Sequence, residues 1–224
     1  MRTVLSGVLV IAACSTGALA QFTVTPFAAN QWGIDDAALG IAGAQIEDFE
    51  DVNLLPGLLV SIASGSGSYG PTSTLPGLMV SGPDAFGAAF ANSAWDGEHV
   101  LVNTFANQAL AYANASNWGN VRFDLPAGTT GVGFSLQQVE VGADVVLVNG
   151  VNVGTVSSFL GLQPNSGRNG YFVIRAETGT IESVEIRSVG GDGFTFDHLA
   201  IIPSPGSLTL GLAGMAMCRR RRAR

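Results

Sequence analysis

Between residues 45 and 202 the chain breaks into ten short apolar-rich runs, and no window sustains the 3.6-residue spacing of an amphipathic helix. The runs are 45–49, 58–63, 99–105, 121–125, 130–138, 144–148, 151–157, 171–176, 181–189 and 194–202. Several alternate as half-buried strands do. In Ile181-Glu182-Ser183-Val184-Glu185-Ile186-Arg187, Val184 and Ile186 point to one face and Glu185 and Arg187 to the other. Asn149-Gly150, set between two valine-rich runs, is a two-residue hairpin signal, because both central positions of a type I′ turn need positive φ. Residues 64–83 are rich in Gly, Ser, Thr and Pro and read as a long loop or irregular strand pair. Residues 21–40 are mixed, and 106–113 is a candidate short helix. Strands at this spacing predict an all-β fold, an antiparallel β-sandwich of the jelly-roll kind, filling one domain from residue 21 to residue 202.

The segments outside that domain carry a different pattern. Residues 1–20 begin Met1-Arg2-Thr3, continue as an apolar run over 4–14, and end on Ala18-Leu19-Ala20. This is the layout of a secretory signal peptide, with cleavage expected between Ala20 and Gln21. A rival route is open, because Ile11-Ala12-Ala13-Cys14 loosely matches a lipobox that would place a lipid on Cys14. Residues 203–224 read Pro203-Ser204-Pro205-Gly206-Ser207, an apolar stretch over 208–218, then Arg219, Arg220, Arg221 and Arg222. Eleven helical residues would span about 16 Å, half of a ~30 Å hydrocarbon core. Such a stretch suits a weak, removable membrane stop better than a permanent span.

The order Pro-x-Pro-Gly, apolar stretch, arginine cluster resembles the PEP-CTERM sorting domain of bacterial exported proteins, in the form with Pro-Ser-Pro-Gly found in planctomycete-type bacteria. Ser204 stands where the name motif has Glu. The resemblance covers about a tenth of the chain. It implies export, processing by an exosortase-type membrane protease at the Pro203-Ser204-Pro205-Gly206 tag, transient membrane contact through the tail, and retention at the cell envelope surface or in an extracellular exopolysaccharide matrix.

Charge and cysteine usage narrow the remaining choices. The chain has no lysine, and residues 21–202 hold four arginines against all 17 acids, a net charge of −13. A polyanion such as nucleic acid is an unsuitable partner for that surface, which suits solubility and divalent cations. The two cysteines, Cys14 and Cys218, lie outside the domain, so it has neither a disulfide nor a thiolate site.

Two groups of acids are candidates for chemistry. One is Glu47, Asp48, Glu50 and Asp51; the other is Gly190-Gly191-Asp192-Gly193 leading into Phe194-Thr195-Phe196-Asp197-His198. Phe49-Glu50-Asp51 and Phe196-Asp197-His198-Leu199 resemble the opening and closing phrases of jelly-roll, carbohydrate-binding-module-like domains in PEP-CTERM proteins. The resemblance implies a structural Ca2+ site with Glu50 and Asp197 as ligands and Asp51 as a further one, although a second Asp usually stands at the position of His198. Solvated acids at strand ends are the plainer alternative.

For sugar binding, Trp95 and Trp118 flank loops in which a flat ring could meet a polysaccharide. Edge-of-core packing is the alternative for both. Enzyme signatures are weak: His99 and His198 sit in no triad or metal spacing, and there is no G-x-S-x-G elbow. Paired carboxylates could serve a glycosidase only across a cleft of suitable width. The sequence therefore predicts a non-enzymatic exported protein with a structural or adhesive role. A carbohydrate-binding module is the second reading and a glycoside-active enzyme the third.

Overall fold

Asn149 and Gly150 take φ angles of 51° and 77°, and Val148 faces Val151 across them. The hairpin expected from these two residues therefore closes on a turn that only residues tolerant of positive φ can form. The structure is a computed structural model that describes residues 22–28, 35–75, 80–81, 99–104, 115–162 and 167–204. Its strands are β1 (Phe22–Ala28), β2 (Gln45–Glu47), β3 (Leu59–Ser64), β4 (Gly67–Thr72), β5 (Val80–Ser81), β6 (Val100–Val102) and β7 (Gly119–Asp124). They continue with β8 (Thr129–Val139), β9 (Val145–Val148), β10 (Val151–Thr155), β11 (Arg168–Ala176), β12 (Ser183–Arg187) and β13 (Thr195–Pro203). A single helical turn, α1 (Val156–Phe159), follows β10.

All pairings are antiparallel and fall into two sheets. One runs β1-β11-β8-β13-β6-β5, with β2 also on β13; the other runs β10-β9-β12-β7-β3-β4. The last eight strands nest. β6 pairs with β13, β7 with β12, β8 with β11 and β9 with β10. Their order within the sheets, β6-β13-β8-β11 and β7-β12-β9-β10, is that of a jelly roll. Apart from the β9–β10 hairpin, successive strands from β6 to β13 cross between sheets, so each inner face receives residues from distant parts of the chain.

Alternation fills the space between the sheets. Val60, Ile62, Val121, Phe123, Val184 and Ile186 on one side meet Val132, Phe134, Leu136, Phe172, Ile174 and Phe196 on the other, all fully buried. Val184 and Ile186 are buried while Arg187 is exposed, as the period-2 reading requires. Phe123 and Phe196 meet edge to face across the sandwich with ring centroids 5.1 Å apart.

The large sheet is also covered on part of its outer face. Leu39 and Ile41 pack on Tyr171, Val173 and Ala200. A Cβ on Gly133 would come within 2.8 Å of the Tyr171 ring, so glycine is what lets that ring lie against β8. Strand β8 is consequently buried on both faces, and its outward-facing Ser135 and Gln137 are as inaccessible as its core residues.

Two elements depart from the sequence expectation, and a third settles an alternative within it. Residues 22–28, read as mixed, form β1, an edge strand on β11 that tolerates Pro26 because an edge position need not donate a ladder hydrogen bond. Over 64–83, read as a long loop or irregular strand pair, the second alternative holds: β4 forms an irregular hairpin with β3, and β5 pairs with β6. The run 151–157 stops as a strand at Thr155, where a capping box on Thr155 and Ser158 starts α1. The helix expected over 106–113 lies outside the described residues.

Candidate functional site

Strand β2 pairs with β13 through Glu47–Leu199, Ile46–Ala200 and Gln45–Ile201. Farther back along β13, Thr195 and Phe196 pair with β6. Both β2 and β6 lie on the edge of β13 opposite β8, and Asp197 and His198 fall between the two partners. His198 has φ 49°, and the register to β8 shifts between Asp197 and Ala200, which marks a bulge there.

The acids after β2 are engaged locally. Glu47 is buried, its Oε1 accepting the Phe49 N–H at 3.1 Å and its Oε2 the Leu55 N–H at 2.6 Å. Burial raises its pKa, against the lowering effect of those two amides. Asp48 accepts the N–H of Glu50, and Asp51 that of Asn53. Each spans two residues, the pattern of a carboxylate stabilising its own turn. Glu50 takes the His99 N–H on Oε1 at 2.9 Å and faces His99 Nδ1 with Oε2 at 3.2 Å, tying the exit of β2 to the entry of β6.

Asp197 is fully buried, with Oδ1 accepting the N–H of His198 at 2.7 Å. Thus Glu50 and Asp51 lie in the loop that leaves β2, and Asp197 lies on the strand that β2 joins. Among the described residues, no three His, Cys, Asp or Glu side chains come together as a metal-holding group. His198 Nε2 lies 3.0 Å from Asp36 Oδ1, and its carbonyl accepts the Tyr171 hydroxyl at 2.8 Å.

Trp118 is 7 % exposed and packs with Val100 and Val102. A Cβ on Gly193 would lie 2.9 Å from its ring. Its indole is enclosed at the end of the sandwich and does not form an open stacking platform. Trp95 lies outside the described residues, as do Ala20, Gln21, Pro205 and Gly206. Pro203 ends β13, and the Ser204 N–H donates to the Gly128 carbonyl at 2.9 Å.

A second polar centre joins the turn between β8 and β9 to the turn between β12 and β13. Asp144, fully buried, accepts the Val189 N–H on Oδ1 at 2.7 Å. Asp192, 7 % exposed, accepts the Val141 N–H on Oδ2 at 2.8 Å. Each turn thus supplies a carboxyl to the backbone of the other. Asp144 Oδ2 and the neighbouring Arg168 Nε are buried without a hydrogen-bond partner.

Desolvation is the main cause that pushes Asp144 up to about 7 and Asp192 up to about 6 from the ordinary 3.8. Asp192 raises Asp144 further and Glu140 raises Asp192, while the Arg168 charge opposes the shift on Asp144. The Arg168 Nη1 itself donates to the Glu140 carbonyl at 2.9 Å.

Asn103 anchors the same end. Fully buried, it donates from Nδ2 to the Gly119 and Asp192 carbonyls and accepts the Phe194 N–H at 2.9 Å. The sequence marks the Gly190–Gly193 turn but not the partner of its aspartate, Val141, which lies 51 residues away. Asp144 carried a weak signal, an acid placed after Gly142-Ala143 at the start of a valine run.

No family model, curated protein or solved structure matches this chain.

Proposed function

We propose that this chain is an exported, non-enzymatic protein with a structural or adhesive role in the bacterial envelope or exopolysaccharide layer. In this reading an exosortase-type membrane protease delivers it through the 203–224 tail. The observation that carries it is the junction of body and tail. The last strand of the jelly roll ends at Pro203, and the Ser204 N–H donates to the Gly128 carbonyl, so the Pro-Ser-Pro-Gly sequence begins at the end of β13. A cut after Ser204 would leave β13 and the Ser204–Gly128 hydrogen bond whole. The acidic body suits a hydrated polysaccharide matrix rich in divalent cations.

The test is expression of the full chain in a bacterium that has an exosortase-type protease, followed by fractionation and intact-mass measurement. The reading expects an envelope or matrix protein that begins at Gln21 and has lost the arginine cluster. Full-length protein retained in the cytoplasm would overturn it.

A structural Ca2+ between the β2 exit loop and β13 belongs to the same reading and is supported by the pairing of those strands. Its ligands would be Glu50, Asp51 and Asp197. A melting temperature unchanged by excess EDTA would remove it. The carbohydrate-binding alternative receives less support, since Trp118 is enclosed; retardation in polysaccharide affinity gels would favour it.

A further inference from the structure

We propose that the β8–β9 and β12–β13 turns form a proton-held clasp, in which Asp144 and Asp192 keep the two turns docked in mild acid and release them together when both ionise. The geometry is reciprocal: Asp144 holds Val189 of the second turn, and Asp192 holds Val141 of the first. Separating the two turns at one link therefore strains the other.

The unpartnered oxygen of Asp144 makes the clasp sensitive to protons. A buried carboxylate oxygen with no donor is far more costly as part of an anion than as part of a neutral carboxyl. Oδ1 can accept the Val189 N–H in either state, so protonation removes charge while keeping the link.

The charged groups around the pair act in one direction except for Arg168. For Asp144 they are Asp192 and Arg168; for Asp192 the nearby charge is Glu140. Arg168, on β11, is turned towards the Glu140 carbonyl, and its Nε makes no bond that would compensate Asp144. Ionising both aspartates therefore places two anions at a buried junction with one incompletely engaged cation.

The rest of the junction limits how far opening would spread. Asn103 fixes the Asp192 carbonyl and the Phe194 N–H to the end of β6, and the Ser188 hydroxyl accepts the Asp192 N–H at 3.1 Å. Release would thus be local, confined to residues 140–144 and 188–192.

Hydrogen exchange of the full chain, read by mass spectrometry between pH 5 and pH 8 and corrected for intrinsic rates, tests this. Peptides covering both turns should lose protection together, by about tenfold or more, as pH rises through 6 to 7. The β3–β4 hairpin serves as internal reference and should change much less. Asp144→Asn should keep both turns protected at pH 8 and flatten the profile; Asp192→Asn gives the same reading if the first variant folds poorly. A flat wild-type profile, turns that respond at different pH, or an equal change in the reference hairpin would overturn the proposal.

Discussion

Asp144 Oδ1 receives the Val189 N–H at 2.7 Å from a strand turn 45 residues away, while its other carboxyl oxygen receives nothing. This half-satisfied buried acid makes its own contribution to stability fall as pH rises. Asp144 and Asp192 bind protons more tightly in the folded chain, near pH 7 and pH 6, than in the unfolded chain, near 3.8. Their stabilising contribution is complete below about pH 4 and is lost as pH rises through 6 and 7. Between pH 5 and pH 8 the part lost is about 2–4 kcal/mol. The melting temperature should therefore fall by roughly 5–10 °C between pH 5 and pH 8. Asp144→Asn should remove most of that slope in calorimetry or circular dichroism, and a slope unchanged in the variant would count against it.

Asn103 presents the opposite case, a buried amide with every reach used. It bonds the Gly119 carbonyl on β7 and, on the segment leading into β13, the Asp192 carbonyl and the Phe194 N–H. Asn103→Leu is near in volume but leaves the Gly119 and Asp192 carbonyls and the Phe194 N–H without their partner. Such losses cost about 1–3 kcal/mol per buried group, with partial relief where water enters. Denaturant unfolding should show a loss of ~3 kcal/mol, and a loss under 1 kcal/mol would mean that the end of the sandwich re-forms its bonds without Asn103.

Tyr171 rests on Gly133 and closes a hydrogen bond to the carbonyl of His198, a residue with positive φ. The two interactions can be separated. Tyr171→Phe removes only the hydroxyl and should cost ~1 kcal/mol. Gly133→Ala drives a Cβ to within 2.8 Å of a fully buried ring with no room to retreat, and should cost about 2 kcal/mol or more. Equilibrium unfolding of both variants checks the order; equal losses would show that the ring can shift.

The sandwich was legible because its signal is local. Period-2 runs such as 181–187 state which face is buried, and Asn149-Gly150 states where a hairpin turns. What stayed hidden depends on contacts between distant residues. β1 alternates only over Phe22-Thr23-Val24-Thr25 before Pro26 breaks the pattern, and it is held by pairing with β11. Trp118 reads equally well as a platform or as packing until Val100, Val102 and Gly193 close around it. The acids near residue 50 read as one cluster in the sequence, which does not show that Glu47, Asp48 and Asp51 each accept an N–H of their own loop. The aspartate pair at 144 and 192 gave no motif, because a reciprocal bond between two turns leaves no fixed spacing in the chain.

Asn149 shows how much of a turn residue's role lies beyond its φ. Its Oδ1 accepts the N–H groups of Glu182 and Ser183 at 2.7 and 3.0 Å, and its Nδ2 donates to the Thr180 carbonyl at 3.0 Å. The β9–β10 turn is thereby stitched to the segment that leads into β12. Asn149→Gly preserves the positive φ, so turn strain alone predicts almost no effect. Loss of the three side-chain bonds predicts instead a cost of ~1–2 kcal/mol, moderated because the site is exposed and water can replace the amide. Asn149→Ala should cost more, since it loses the bonds and alanine tolerates the left-handed region less well than asparagine or glycine. The ranking wild type, then Gly, then Ala in urea unfolding is the expected result. Equal stability of wild type and Asn149→Gly would reduce Asn149 to a turn former.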